Sequence, residues 1–133
     1  MNITEESRQL DLFDSGDGLF INTGRCVPAF NVGAMNPAFW SKVVELSKRL
    51  SGITINSAFR PTSWEYARRR SGSSQHCRGL AVDISCADSE YRYKLISHAL
   101  DLKFKRILIY PTFVHLDDKP DSHFKIVYME NVH

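Results

Sequence analysis

Two short apolar runs, Leu80–Ile84 and Phe113–Leu116, each enclose one residue that a strand buried on both faces would not carry: Asp83 in the first and His115 in the second. Side chains alternate across a strand, so each of these residues projects from one chosen face of whatever sheet the runs enter. His76 stands just ahead of Gly79, where the first of these strands can begin. Neighbouring strands can therefore bring two imidazoles and a carboxylate to one point. That ligand set suits a hydrolytic Zn²⁺ with one coordination position left for water. Singly, each residue has a plainer role: His76 as a loop histidine, Asp83 as a hydrogen-bonder at a strand end, His115 as a half-buried strand residue. Their order in combination points to a metal.

The rest of the chain reads as a frame for those strands. Residues 11–33 scatter Gly16, Gly18, Gly24, Pro28 and Gly33 among apolar residues, which predicts an irregular or short-strand segment, with residues 1–35 packed on the domain. Pro37 opens a helical pattern with Asn36 as its cap; Phe39, Val43, Leu46 and Leu50 recur at helical spacing, and Ser51-Gly52 ends it. Ile53–Phe59 reads as a strand broken by Arg60-Pro61, followed by a short helix capped by Thr62 or Ser63 and reaching Arg70. Leu80–Ser85 is a strand. A helix from Asp88-Ser89 carries Tyr91, Leu95, Ile96 and Leu100 as its apolar stripe. Arg106–Tyr110, Phe113–Leu116 and Phe124–Met129 complete the strands. Antiparallel strands interrupted by packing helices predict an α+β fold, a small central antiparallel sheet flanked by helices, in one domain spanning residues 1–133.

Bulk properties exclude other classes. The length of 133 residues suits one domain with a modest core. A net charge of +2 is too small an excess for a nucleic-acid binder, and the Arg68-Arg69-Arg70 run lacks interleaved aromatics. That run and Lys103-Lys105-Arg106 read as solvated basic clusters, with an anionic polymer as the alternative partner. Cys26, Cys77 and Cys86 are odd in number and form no Cys-x-x-Cys pair, so no disulfide scaffold is expected and a reducing compartment of synthesis is. Cys77 adjoins His76, but alternation turns the two apart, leaving free thiols as the expected state. No run reaches the length of a membrane span, and Met1-Asn2-Ile3-Thr4-Glu5-Glu6 has neither the basic nor the apolar region of a secretory signal.

Ser74-Gln75-His76-Cys77-Arg78-Gly79-Leu80-Ala81-Val82-Asp83-Ile84, followed by Tyr110-Pro111-Thr112-Phe113-Val114-His115-Leu116-Asp117, resembles the zinc D-alanyl-D-alanine carboxypeptidase and endolysin superfamily, the M15-type peptidases, especially small phage-type and murein-endopeptidase members. Ser57-Ala58-Phe59-Arg60 is similar to its Ser-Gly-Tyr-Arg block, so the resemblance runs from about Asn36 to Tyr128. It implies a zinc peptidase cutting an amide in bacterial peptidoglycan stems or cross-links, with His76, Asp83 and His115 as ligands; the sequence is silent on oligomeric state, and a monomer is the favoured expectation. It also implies a phage or prophage lysin made in the cytoplasm and reaching the wall by host lysis or in a virion.

Arg60 then holds substrate carboxylate or carbonyl oxygens through its planar donor fork, unless it forms a surface salt bridge. Ser57 orients Arg60 or meets substrate, and Ser74 and Gln75 fix the ligand loop by hydrogen bonds. Relatives place an acid three residues before the last histidine, or a histidine two before it; here those positions hold Thr112 and Phe113. Asp117 shares a strand face with His115 and becomes the expected general base or an orienter of the ligands, with Asp118, Glu65 and His123 as alternatives. Relatives also carry glycines where Lys103–Ile109 stand here, so the approach to the metal is reshaped. The missing acid keeps a second reading open, a zinc-bearing binding module like the hedgehog signalling domains. His98 and His133 are expected to be exposed or packed.

Overall fold

The computed structural model describes residues 12–14, 19–26 and 29–129. Gly16, Gly18, Pro28, the first eleven residues and His133 lie outside them. In chain order the elements are β1 (Leu12–Asp14), β2 (Phe20–Asn22), α1 (Pro37–Arg49), β3 (Thr54–Ser57), α2 (Thr62–Ala67), β4 (Ala81–Ser85), α3 (Ser89–Asp101), β5 (Arg106–Ile109), β6 (Phe113–Asp117) and β7 (Lys125–Tyr128). Two 3-10 turns, Val32–Ala34 and Gln75–Arg78, punctuate the loops.

The α+β class holds. The strands form one sheet in the order β1-β2-β3-β4-β6-β5-β7. Its four central strands are antiparallel as expected, but β2 lies parallel to β3 and β7 parallel to β5, so the whole sheet is mixed. The segment around residues 20–22 contributes a strand, with Ile21 buried in the core.

Sequence chemistry accounts for the element ends. Asn36 caps α1 by accepting from Phe39 N at 3.0 Å, with Pro37 in the first turn, where its missing N–H costs nothing. Asp88 caps α3 by accepting from Tyr91 N at 2.8 Å. Helix α2 is shorter than expected: Pro61 stands at its cap position with no side-chain bond, and it ends at Ala67 rather than Arg70, with Arg69 at φ 59°.

Both long helices contribute to one apolar core with the sheet. Phe39, Val43 and Leu46 of α1 and Leu95 and Ala99 of α3 join Ile55, Val82, Ile84, Ile107, Val114 and Leu116 in it. Each fully buried Val, Leu, Ile or Phe side chain among them contributes about 1.5–3 kcal/mol. The expected stripe of α3 is partly corrected: Leu100 is 51% exposed, and Ala99 takes its place in the core. Because Val82 and Ile84 face the helices, the alternate residue Asp83 faces away from them. That side of the sheet carries the polar chemistry.

Candidate metal site

Register sets the centre. Asp83 on β4 lies directly opposite His115 on β6, and His115 lies opposite Leu108 on β5. His76 enters from the Gln75–Arg78 turn, where Ser74 Oγ accepts from His76 N at 3.2 Å. Gly79 closes this turn at φ 69°, and a Cβ there would stand 2.4 Å from the Ala34 carbonyl oxygen. Only glycine permits that approach. The Gly79 carbonyl also accepts from Asn36 N at 3.0 Å, joining the turn to the start of α1.

His76 Nδ1 is 2.6 Å from the Ala58 carbonyl oxygen. A carbonyl only accepts, so Nδ1 carries a proton and Nε2 is the nitrogen that can serve a metal. Nε2 points to Asp83 Oδ1 at 3.3 Å. His115 is held from its other side: Nδ1 lies 3.0 Å from Asp83 Oδ1, and Nε2 lies 2.6 Å from Asp117 Oδ2. One donor atom from each of His76, Asp83 and His115 lies within 4.8 Å of the others. Two imidazole nitrogens and a carboxylate oxygen at this separation fit Zn²⁺, with the remote nitrogens of both rings already fixed by acceptors. The Cys77 thiol instead points toward Glu65 Oε1, at 4.0 Å, and stands outside the group.

Charge follows this geometry. Burial alone would raise the Asp83 carboxyl, but the charge of His76 and the hydrogen bonds from His115 and His76 hold it well below the usual carboxylate range. Burial would lower His115, yet its bonds to Asp117 and Asp83 raise it from 6.5 to about 9. Asp117 is lowered to about 2 against its burial by His115 and Arg106.

Asp117 is fully buried. Arg106 forks onto it, with Nε 2.9 and 3.0 Å from the two carboxylate oxygens and an NH2 contact of 2.6 Å, and Lys119 N donates to Oδ1 at 3.1 Å. With the His115 bond, both oxygens are engaged. Of the other acids and bases weighed for proton transfer, Asp118 bonds Lys42 Nζ at 2.7 Å and Lys105 N at 3.0 Å, and neither it nor His123 borders the cavity above the triad. Glu65 does border it; buried, it bonds Arg70 at 2.9 Å and lies 3.8 Å from Arg60 Nε.

That cavity, of about 580 Å³, brings Arg60, Arg70, Arg106, Lys119 and Tyr110 around His76, Asp83 and His115. Arg60 thus lies in the wall, as does Gln75, whose buried Oε1 has no partner in place of the expected loop-fixing bond. Ser57 pairs opposite Asp83 in the sheet and borders a neighbouring cavity. The Arg68–Arg70 run is exposed, as expected of a solvated cluster, with the Arg68 guanidinium 3.7 Å and that of Arg70 5.2 Å from the Trp64 ring centroid. Arg106, expected to belong to a solvated basic cluster with Lys103 and Lys105, is instead turned onto buried Asp117, a role that sequence reasoning missed. Its signal, a cationic residue in a strand, becomes legible only once β5 is known to pair with β6 and place it opposite Asp117.

A candidate metal-ligand triad on the open face of an α+β sheet, under a wall of guanidinium donors, suits a metallohydrolase. The profile of the family described as Peptidase M15 matches residues 24–117, and the chain belongs to that family, which implies a metallopeptidase. No curated protein matches the chain.

Proposed function

We propose that the protein is a zinc-dependent peptidase that hydrolyses an amide bond in peptidoglycan stem peptides or cross-links, as a phage or prophage lysin acting on the wall after lysis or delivery in a virion. The observation that carries this reading is the convergence of His76 Nε2, Asp83 Oδ1 and His115 Nδ1 in a chain of the M15 family. The lysin role rests on the resemblance to small phage-type members. When bound, zinc supplies Lewis acidity toward a substrate carbonyl and toward water.

The chain's own residues do the rest. Ala58 and Asp117 accept from the outer nitrogens of His76 and His115 and fix both rings with their inner lone pairs turned to the metal. Asp117 acts as orienter of His115 rather than as base, because Arg106, Lys119 N and His115 occupy its oxygens. Arg60 binds the substrate oxygen that gains charge during attack, and Glu65 holds Arg60 and Arg70 at the cavity wall. Purified peptidoglycan incubated with the zinc-loaded protein should release peptide fragments with new amine and carboxyl ends, read by mass spectrometry, and a chelator should stop the release.

A zinc-bearing binding module is the second reading. The engagement of Asp117, together with Thr112 and Phe113 at the positions where relatives keep proton-handling groups, favours it. Wall binding without fragment release would decide for it.

A further inference from the structure

We propose that the cavity over β3 is a second substrate subsite that holds a carboxylate-bearing residue of a peptide laid across the sheet. The inference rests on the peptidase reading above and adds where the substrate runs and what it must carry. Ser57, Asp83, His115 and Leu108 stand opposite one another on β3, β4, β6 and β5, so they form one row on one face. The larger cavity covers the His115 and Leu108 end of this row. A smaller one, about 250 Å³, covers the Ser57 end and is bordered by Arg25, Asn56 and Ser57; Asp83 and Phe113 border both cavities. The metal-ligand candidate Asp83 therefore stands on the boundary, and a chain crossing it has room on either side.

The smaller cavity has its own chemistry. Arg25 is exposed and offers a guanidinium, which only donates. Asn56 Oδ1 is buried and has no hydrogen-bond partner. A buried acceptor left unpaired is unfavourable until a donor arrives. A peptide segment satisfies both groups: a backbone N–H for Asn56 and a carboxylate for the planar fork of Arg25. A neutral segment satisfies only the first. On the far side of the row, Arg60 and Arg70 offer the same recognition, so the cleft fits a peptide extending in both directions from the scissile amide rather than a bare terminal residue.

Two pairs of blocked peptides test this, each pair sharing one scissile bond and differing in a single flanking residue, Glu or Gln, placed on the amino side in one pair and the carboxyl side in the other. Binding to the metal-free protein is measured by calorimetry, and kcat/KM with the zinc-loaded protein. On one side Glu should be preferred by about 10- to 100-fold in both measurements, the range of a charge-assisted hydrogen bond. Arg25→Gln should bring that preference close to one, and Asn56→Leu should weaken Glu and Gln peptides alike. Equal handling of Glu and Gln by the wild type on both sides overturns the subsite. So does a folded Arg25→Gln that keeps the wild-type Glu preference on every side where the wild type shows one. If no peptide is cut while binding keeps an Arg25-dependent Glu preference, the peptidase reading falls and the subsite stands.

Discussion

At the scale of single residues, the proposed peptidase divides its site into groups that would hold metal, groups that would aim them, and groups that would meet substrate. His76→Ala or His115→Ala removes a donor outright, and elemental analysis of either purified variant should find most of the zinc gone. Asp117→Asn keeps the shape but substitutes a neutral amide where His115 Nε2 and the Arg106 fork meet a carboxylate. Zinc affinity measured against a competing chelator should fall by roughly 10- to 100-fold, the usual effect of losing such a partner. Undiminished affinity in that variant would separate Asp117 from the metal. Arg60→Ala touches no ligand, so zinc content should hold while wall cleavage slows by roughly 10²- to 10³-fold, as when one oxyanion donor is removed. An unchanged rate would take Arg60 out of the reaction.

At the scale of elements, the site depends on how the Gln75–Arg78 turn is closed. Gly79→Ala would set a Cβ against the Ala34 carbonyl in a left-handed backbone conformation. The turn must then move, and His76 with it. A fall in Tm together with weakened zinc binding is expected; a variant matching the wild type in both would show that the turn does not set His76. The strands themselves were legible from their apolar alternation, and so was the candidate triad, because Asp83 and His115 interrupt it. Pairing was not legible. Whether Arg106 reaches Asp117 depends on strand order, a long-range property that local pattern does not encode, and the parallel additions of β2 and β7 escaped for the same reason. The role first given to Asp117 came from correctly sharing a face with His115, without sight of the arginine on the next strand. Gln75 shows the converse limit: a polar residue beside a ligand suggests a bond to the loop, whereas its buried side-chain oxygen stands unpaired in the wall.

At the scale of the whole molecule, stability should depend on pH through the site. In the metal-free protein His115 is raised from 6.5 to about 9, so its contribution is complete below about pH 6.5 and is lost as pH rises through about 9. Asp117, lowered from 3.8 to about 2, contributes above about pH 3.8 and loses that contribution as pH falls through about 2. Thermal unfolding in chelator should show Tm dropping across the alkaline window, and His115→Gln should flatten that drop; an unaltered alkaline limb in the variant would place its origin elsewhere. Zinc must displace the same proton, so its uptake below pH 9 should release protons, countable in weakly buffered solution. The donors also come from distant parts of the chain: a turn, β4 and β6. A bound ion therefore acts as a removable cross-link from residue 76 to residue 115, closing a long loop that the unfolded ensemble leaves open. At a thousandfold excess over its Kd such an ion stabilises the native state by about 4 kcal/mol. Metal supply would then govern how long the folded chain survives heat and proteases as well as whether it can react.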